Sequence, residues 1–480
     1  MSFDFPAYHV ECVSIAREVD CAIYNVRCMN VNDPETPCCD SPEEPRRAVC
    51  LHFFNDWIVN REKGKLPFHF RFQGRNPIYE LVCEDCGAAR SPATHSLCHD
   101  CFDTITLGTR RRREDIGPDV VEKSVGLQAE IRPLGINVSL QAVSPSNESD
   151  FWFAITMDWR VIQFRSDDAV FNEIVSLKDV LPADGPLGIL ANRNGRLLVV
   201  FEEFNSKAVV VDASSGSVTM MLDRGNYHTE QCRYPVAFFE RNGRSLLVHA
   251  TDWNRLDISD PYTGELLTPR VSPRYEDKKR PAHYLDYFHA GLAISPDAHW
   301  ITSNGWVWAP WGGVRCWDLA RWLNENVWES EDGPSVTTLC DAGYYWNRPL
   351  CWIDDHTVAW WGIGNDDEIM VPAIVVHDMN GGEDKVIVPG PLKGPTKHMV
   401  SYQLDGSPRK VYQTTGRMLF DQWLFAWRAE GEFSAWDLSD GSRVYHRTDI
   451  SPQAYHYGRR EFLCRADDGW SVLRFTTGFE

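Results

Sequence analysis

The sequence predicts a mainly β protein whose larger part repeats one unit of strands and turns seven times. Tight-turn signals recur along the chain from about residue 138, and apolar, strand-like segments flank each of them. The third strand of many units ends in a hydrophobic residue followed by Asp. Repeats of roughly 40–50 residues with about four strands each are typical of propeller blades. The predicted fold class is a seven-bladed β-propeller preceded by a small α+β domain.

The turn signals set the number of blades. Asn-Gly between apolar segments is among the strongest local indications of a β-hairpin, and the spacing of roughly 45–60 residues suits a blade with loop insertions. The predicted first turns of the seven blades are Ser144 to Asn147, Asn194-Gly195, Asn242-Gly243, Ser295 to Asp297, Asp354-Asp355, Thr415-Gly416, and the neighbourhood of Gly458.

The predicted ends of the third strands share a hydrophobic residue, or a His, followed by Asp. They are Val211-Asp212, Leu256-Asp257, Trp317-Asp318, His377-Asp378 and Trp436-Asp437. With its two Trp-Asp pairs this part of the chain resembles the WD-repeat family, most closely in the fourth blade, where Ala282-His283 stands in place of the family's Gly-His. The resemblance implies a propeller fold and a structural hydrogen bond from His283 within its blade.

The seventh unit, from about Gln453 to Phe475, offers fewer strands than the others. An additional strand-like segment, Gly126 to Leu134, precedes the first unit. We expect this early strand to complete the last blade, because closing the ring removes the exposed edges of an open sheet.

Composition narrows the range of functions. The net charge of −20 disfavours a protein whose main task is binding nucleic acid. No apolar run approaches the ~18 residues that a membrane helix needs, so we expect no membrane association. The first residues, Met1 to Pro6, lack the basic and apolar parts of a secretory signal, and we expect a cytoplasmic protein.

The first 110 residues differ from the rest in their cysteines, with ten of the chain's 15. Two short strands are predicted between residues 7 and 29, a helix from Ser41 to about Gly64, and strands at Phe68 to Phe72 and Ile78 to Val82. The predicted domains are an α+β module at 1–110, a linker at 111–127 and the propeller at 128–480.

Two Cys-x-x-Cys pairs form the sharpest motif, Cys83 with Cys86 and Cys98 with Cys101. Clustered thiols in a reducing compartment are more often metal ligands than disulfides, and four thiolates suit tetrahedral Zn²⁺. The segment from about Tyr79 to Ile105 resembles zinc-ribbon and treble-clef modules. Four protein ligands leave no place for water or substrate, so the predicted zinc is structural and the module is a zinc-binding domain.

Aromatic and arginine residues recur in the loops that join the second strand of a blade to the third. They include Trp159, Arg160, Trp253, Arg255, Trp311 and Trp361. Trp and Arg are enriched at the energetic centres of protein interfaces. The sequence therefore predicts a non-catalytic scaffold or adaptor that binds partner proteins in a cytoplasmic complex through the propeller face and the zinc module.

Two other functions stay open. A propeller enzyme or small-ligand receptor would use His283, Asp286 and His289, although the nucleophile and phosphate-binding motifs Gly-x-Ser-x-Gly and Gly-x-x-x-x-Gly-Lys are missing from the sequence. A nucleic-acid adaptor would use the zinc module and the run Arg110 to Arg113, which Glu114 and Asp115 follow directly.

Overall fold

A computed structural model describes four strands within residues 1–119 and most of residues 120–476. The description omits residues 124–126, 169, 182–184, 272–278, 309–310, 344, 364–370, 388–389, 392–396, 400–411, 415, 429–430 and 467–468. The chain divides into two compact units, Met1–Asp119 with Ile363–Val371, and Val120–Gly362 with Pro372–Glu480.

The first unit contains two antiparallel pairs of strands. Strand β1 (Ala7–Ala16) pairs with β2 (Cys21–Met29), where the sequence predicts two strands, and β3 (Phe72–Gln73) pairs with β4 (Glu80–Leu81). The predicted helix from Ser41 to Gly64 and the four cysteines predicted to bind zinc lie outside the described residues.

The second unit is a seven-bladed β-propeller, which confirms the predicted architecture of this part of the chain. Its early strands are β5 (Ala129–Pro133), β6 (Leu140–Pro145), β7 (Phe151–Thr156), β8 (Arg160–Arg165), β9 (Phe171–Ser176), β10 (Leu187–Ala191), β11 (Leu197–Glu202), β12 (Lys207–Asp212), β13 (Val218–Asp223), β14 (Val236–Arg241), β15 (Arg244–Asp252) and β16 (Arg255–Ser259). Strands β6–β9, β10–β13 and β14–β16 form the first three blades.

The fourth to seventh blades complete the ring. Their strands are β17 (Leu292–Ile294), β18 (Trp300–Val307), β19 (Trp311–Asp318), β20 (Thr337–Gly343), β21 (Leu350–Trp352), β22 (Thr357–Ile363), β23 (Val371–Asp378), β24 (Lys385–Ile387), β27 (Arg417–Asp421), β28 (Trp423–Arg428), β29 (Glu432–Trp436), β30 (Arg443–Arg447), β31 (Ser451–His456), β32 (Glu461–Ala466) and β33 (Gly469–Phe475). A separate antiparallel pair, β25 (Lys397–Met399) and β26 (Tyr412–Thr414), follows the fifth blade and precedes the sixth in the sequence.

The middle strands of the blades are buried on both faces. In β11 every residue of the segment from Leu197 to Glu202 is buried, and β12 is buried from Ala208 to Val211. Neighbouring blades cover both faces of each sheet, so such strands become nearly continuous apolar runs instead of alternating ones. Val, Ile and Leu dominate the cluster between the first two blades, which joins Ile155 and Val161 to Leu198 and Val209.

The ring closes as the sequence predicts. Strand β5 pairs antiparallel with β33 from Ala129 opposite Phe475 to Pro133 opposite Ser471, and it becomes the fourth strand of the seventh blade. This join removes two open sheet edges. The ring of blades is therefore closed by pairing between the first and the last strand of the propeller segment.

A buried carboxylate ties the first blade to the seventh. Glu461 in β32 accepts hydrogen bonds from Trp152 Nε1 at 3.0 Å and from the Ser166 hydroxyl, both in the first blade. Arg459 Nε and Arg474 Nε donate to the same carboxylate at 3.1 and 2.7 Å. The Glu461 side chain is fully buried, so these four donors replace the water that it loses.

Six of the seven predicted first turns lie in the first hairpin of a blade. The turn predicted for the sixth blade was wrong. Thr415-Gly416 precedes β27, and the hairpin turn falls at Gln422, whose φ is 61°. Leu256-Asp257 does not end its strand, because β16 continues to Ser259. Two helices that the sequence analysis did not predict, α1 (Leu319–Asn324) and α2 (Glu329–Asp332), lie between β19 and β20.

In the described part of the chain no helix is long and apolar enough to cross a membrane. In the propeller the cysteines Cys232, Cys316, Cys340, Cys351 and Cys464 are free, and all of them except the partly buried Cys340 are buried. Burial raises the pKa of the Cys464 thiol to about 12, which keeps it protonated and inert.

Candidate functional site

One face of the propeller carries a continuous group of aromatic rings. Strands alternate in direction, so the loops between second and third strands and the segments between blades lie at the same end. The rings in these places form what we call the aromatic cluster: Tyr227, His228, Trp253, Phe288, Trp306, Trp308 and Trp346. They come from the third and fourth blades and from the segments before the third, fourth and fifth.

The base of the cluster is a buried stack. Trp306 lies parallel to Phe288 with ring centroids 4.4 Å apart, and parallel to Trp346 at 5.4 Å. All three rings are almost fully buried. The Trp346 indole N–H donates to the Gln231 carbonyl at 2.7 Å, which fixes the orientation of its ring.

The top of the cluster is open to solvent. Tyr227 is 48% exposed and Trp308 is 54% exposed. Tyr227 stacks on Phe288 at 5.6 Å and contacts Trp253 at 5.2 Å, while Trp308 contacts His228 at 4.7 Å and Trp306 at 5.2 Å. The exposed rings therefore rest on a rigid aromatic base, and they form an apolar surface whose side chains are already ordered.

The backbone at the base of the cluster approaches very closely. Phe288 and Trp306 exchange two backbone hydrogen bonds, of 2.8 and 3.1 Å. Gly305 precedes Trp306, and a Cβ at this position would stand 1.9 Å from the Phe288 carbonyl oxygen. Only glycine fits this crossing, so Gly305 permits the stacking of Phe288 on Trp306.

A buried arginine holds the loop that carries Tyr227 and His228. Arg224 follows β13, and its guanidinium donates to the carbonyls of Asn205, Thr229, Cys232 and Arg233 at 2.9 to 3.2 Å. The short 3₁₀ turn Thr229–Gln231 follows His228, whose φ of 51° lies in the left-handed region. The loop is therefore fixed by side-chain hydrogen bonds rather than by strand pairing.

The predicted partner-binding residues have different environments. Trp253 belongs to the aromatic cluster, and Trp311 is 38% exposed in the hairpin that carries Trp306 and Trp308. Trp159 is partly buried in the first blade, where the Arg160 guanidinium pairs with Asp158 at 2.8 Å. Trp159 and Arg160 lie on the same face of the propeller as the aromatic cluster, but no described interaction joins either of them to it.

Two of the six predicted residues have structural roles, Trp361 as a buried ring and Arg255 as a partly buried partner in an ion pair. Trp361 is only 5% exposed, and its indole N–H donates to the Pro391 carbonyl at 3.2 Å. Arg255 pairs at 2.8 Å with the buried Asp257, which also binds Arg270, and Arg270 continues to Glu331 in α2. Burial raises the pKa of Glu331 despite the charge of Arg270. This chain of charges links the third blade to the helical insertion of the fourth.

The three residues of the possible catalytic group, His283, Asp286 and His289, have different environments. His283 Nδ1 lies 2.8 Å from Asp332 Oδ1, and its ring stacks on Trp328 at 4.5 Å. His289 is buried, with Nδ1 3.0 Å from the Ser303 hydroxyl, and burial together with the charges of Arg315 and Arg270 lowers its pKa well below the usual value. Asp286 is exposed. His283 bonds within its own blade, as expected.

A shallow cavity lies elsewhere, between the fifth and sixth blades. Its volume is about 20 Å³, and Trp361, Trp427, Met418 and Arg417 are among its lining residues. Small-molecule sites usually offer about 300–1,000 Å³, so this cavity is far too small for a typical ligand. It gives less support to a ligand receptor than the aromatic cluster gives to an interaction surface.

Two groups of predicted site residues lie outside the described residues: Cys83, Cys86, Cys98 and Cys101, and the run Arg110 to Arg113. Within the described part of the chain no group of three His, Cys, Asp or Glu side chains is arranged to hold a metal ion.

Comparison with known proteins adds no family to this picture. The sequence matches no protein-family model, and the search of curated proteins finds no match either.

Proposed function

We propose that this protein is a non-catalytic scaffold or adaptor in a cytoplasmic complex, and that it binds a partner protein on the aromatic face of its propeller. One observation carries the proposal: two large exposed rings, Tyr227 and Trp308, rest on the buried stack of Phe288 and Trp306. Association is costly when flexible side chains must be ordered, and pre-ordered aromatic rings reduce that cost. Trp253 and Trp311 extend the surface.

The test is capture of the native partner by the purified protein and its variants. Truncating a central interface aromatic typically costs about 2 kcal/mol, so Tyr227→Ala and Trp308→Ala should each weaken capture by roughly thirtyfold. Trp253 and Trp311 are expected to behave in the same direction. The measurement is quantitative affinity purification from the source organism, with thermal unfolding recorded for each variant.

The matched control is Tyr262→Ala. Tyr262 is also an exposed tyrosine, but it follows the third strand of its blade, at the opposite end of the sheets. Its removal should leave capture unchanged. Equal capture by Tyr227→Ala, Trp308→Ala and wild type, with all three folded, would exclude the aromatic face as the binding surface.

The predicted zinc module is proposed as a second docking surface. We propose that Cys83, Cys86, Cys98 and Cys101 bind one structural Zn²⁺, on the strength of their spacing. Metal analysis of purified protein should find about one equivalent of zinc, and Cys83→Ser or Cys98→Ser should unfold mainly the first 110 residues, because structural zinc contributes folding energy directly. Less than about half an equivalent in wild type would contradict the zinc assignment.

Membership of the propeller in the WD-repeat family is also a proposal, supported by the Trp317-Asp318 and Trp436-Asp437 pairs at two strand ends. The separate environments of His283, Asp286 and His289 favour a scaffold over an enzyme.

A further inference from the structure

Three carboxylates, those of Glu230, Asp252 and Asp286, stand close in the sequence to rings of the aromatic cluster. Glu230 follows His228 by two positions, and its Oε1 lies 3.4 Å from His228 Nδ1. Asp252 precedes Trp253 and accepts the Trp253 backbone N–H at 2.8 Å. Asp286 is exposed two residues before Phe288. Each of these acidic residues thus stands within two positions of a ring in the cluster, in the loops that carry Tyr227, Trp253 and Phe288.

Most basic residues of the same loops make contacts away from the aromatic cluster. Arg224 is buried beneath the loop and donates to backbone carbonyls, Arg233 pairs with Glu203 at 3.5 Å, and Arg255 pairs with Asp257. In the segment before Phe288, Arg280 donates to the Tyr284 carbonyl at 2.9 Å and lies over the Tyr284 ring, while its neighbour Lys279 is exposed. Among the described residues no Lys or Arg forms an ion pair with Glu230, Asp252 or Asp286, so these three carboxylates make the rim more acidic than basic.

Exposed indole and phenol faces next to carboxylates are complementary to a positive charge. The face of a Trp or Tyr ring attracts a cation, and a nearby carboxylate adds a Coulomb attraction. A peptide with acidic side chains would be repelled by the same rim and by the net charge of −20. The charge pattern therefore selects among the partners that the aromatic surface alone would accept.

We propose that the aromatic cluster binds a segment of the partner protein that carries Lys or Arg side chains, with a cationic group over Trp308 or Tyr227 and the carboxylates of Glu230 and Asp286 beside it. This inference rests on the proposed function of the same face and adds the chemistry of the partner. The aromatic rings supply contact area, and the acidic rim selects for a basic segment.

The probe is a short fluorescent peptide of glycine and serine carrying two arginines and two lysines. Its neutral counterpart has citrulline for arginine and norleucine for lysine. Titration by fluorescence polarisation at physiological salt should show binding about tenfold tighter for the basic peptide. Trp308→Ala, and separately the double variant Glu230→Gln with Asp286→Asn, should each weaken binding of the basic peptide about tenfold.

The matched control removes two carboxylates from the opposite end of the blades. Glu148 and Asp355 lie in turns between first and second strands, and Glu148→Gln with Asp355→Asn changes the net charge by the same amount. Binding should stay within about twofold of wild type. Equal losses in the control and rim variants would mean diffuse attraction to an acidic protein and would overturn the proposal, as would equal or absent binding of the two peptides.

The experiments distinguish failure of the basic-segment proposal from failure of the proposed docking surface. If partner capture falls in Trp308→Ala but is unchanged in the Glu230 and Asp286 double variant, the aromatic face is the docking surface and the basic-segment proposal is wrong. If neither variant affects capture while both remain folded, both proposals are wrong.

Discussion

Replacing Glu461 by alanine is expected to lower the free energy of unfolding of the propeller by about 3–5 kcal/mol. The substitution leaves the Trp152 indole N–H, the Ser166 hydroxyl and the Arg459 guanidinium without their shared buried acceptor. The cost comes mainly from the Trp152 N–H and the Ser166 hydroxyl, which would stay buried without an acceptor, because Arg459 and Arg474 keep their pairs with Asp167. Chemical denaturation followed by Trp fluorescence measures the change.

The control for this substitution is Glu148→Ala. Glu148 pairs with Arg193 at 2.9 Å, but both side chains are more than half exposed. Exposed pairs contribute about 0–1 kcal/mol, so this variant should be nearly as stable as wild type. Similar stability of the two alanine variants would contradict the assigned role of Glu461 at the seam.

The pH dependence gives a second measurement of the same interaction. Burial alone would raise the pKa of Glu461, but the hydrogen bonds from Ser166 and Trp152 and the charges of Arg459 and Arg474 hold it below the usual value. A carboxylate with a lowered pKa in the folded state stabilises the fold above its unfolded pKa, and that stability disappears as the pH falls through the folded pKa. The stability difference between wild type and Glu461→Ala should therefore shrink with acidification below the normal range of glutamate.

Gly305→Ala is expected to destabilise the propeller by about 4 kcal/mol or more, an unusually large effect for one methyl group. The added Cβ would stand 1.9 Å from the Phe288 carbonyl oxygen and 2.8 Å from the Tyr287 ring. Backbone must move to accept it, and the paired hydrogen bonds between Phe288 and Trp306 must break or lengthen. The stacked indoles should then lose their fixed geometry, which near-ultraviolet circular dichroism records directly.

Gly291→Ala is the matched control in the same blade, because a Cβ at Gly291 would meet no atom within 4 Å. Its stability should change by less than about 1 kcal/mol, with an unaltered near-ultraviolet spectrum. A stable Gly305→Ala variant with wild-type circular dichroism would show that the crossing of Phe288 and Trp306 tolerates displacement.

The fold was predictable where a turn carries its own chemistry. Asn194-Gly195 and Asn242-Gly243 adopt positive φ at one or both residues, and those residue types tolerate this conformation. The sixth blade lacks such a signal. Its hairpin turns at Gln422, also with positive φ, and only Asp421 beside it is a typical turn residue, so the sequence favours the nearby Thr415-Gly416 instead. Tertiary pairing of β27 with β28 fixes this turn rather than local preference.

The site was predictable only in the residues that belong to hairpin loops. The position of Trp253 on this face could be predicted because the residue lies in the loop between β15 and β16. Tyr227, Phe288 and Trp346 instead lie in connections between blades, and these connections carry no repeat motif. The number of aromatic residues in those connections was a usable signal, although ring stacking depends on three-dimensional proximity. Trp361 was expected in an exposed loop, but it lies in β22, which is buried nearly throughout, and only 5% of its surface is exposed.

Closure of the ring by β5 and β33 has a consequence for biosynthesis. A chain emerging from the ribosome presents β5 before any other strand of the propeller, and its partner β33 after all the rest. Through most of translation the hydrogen-bonding edge of β5 has no native partner, and an unpaired edge can join a foreign strand. The nascent protein is thus exposed to misassembly until the last blade has been made, and binding of a chaperone to this segment would protect it during that interval.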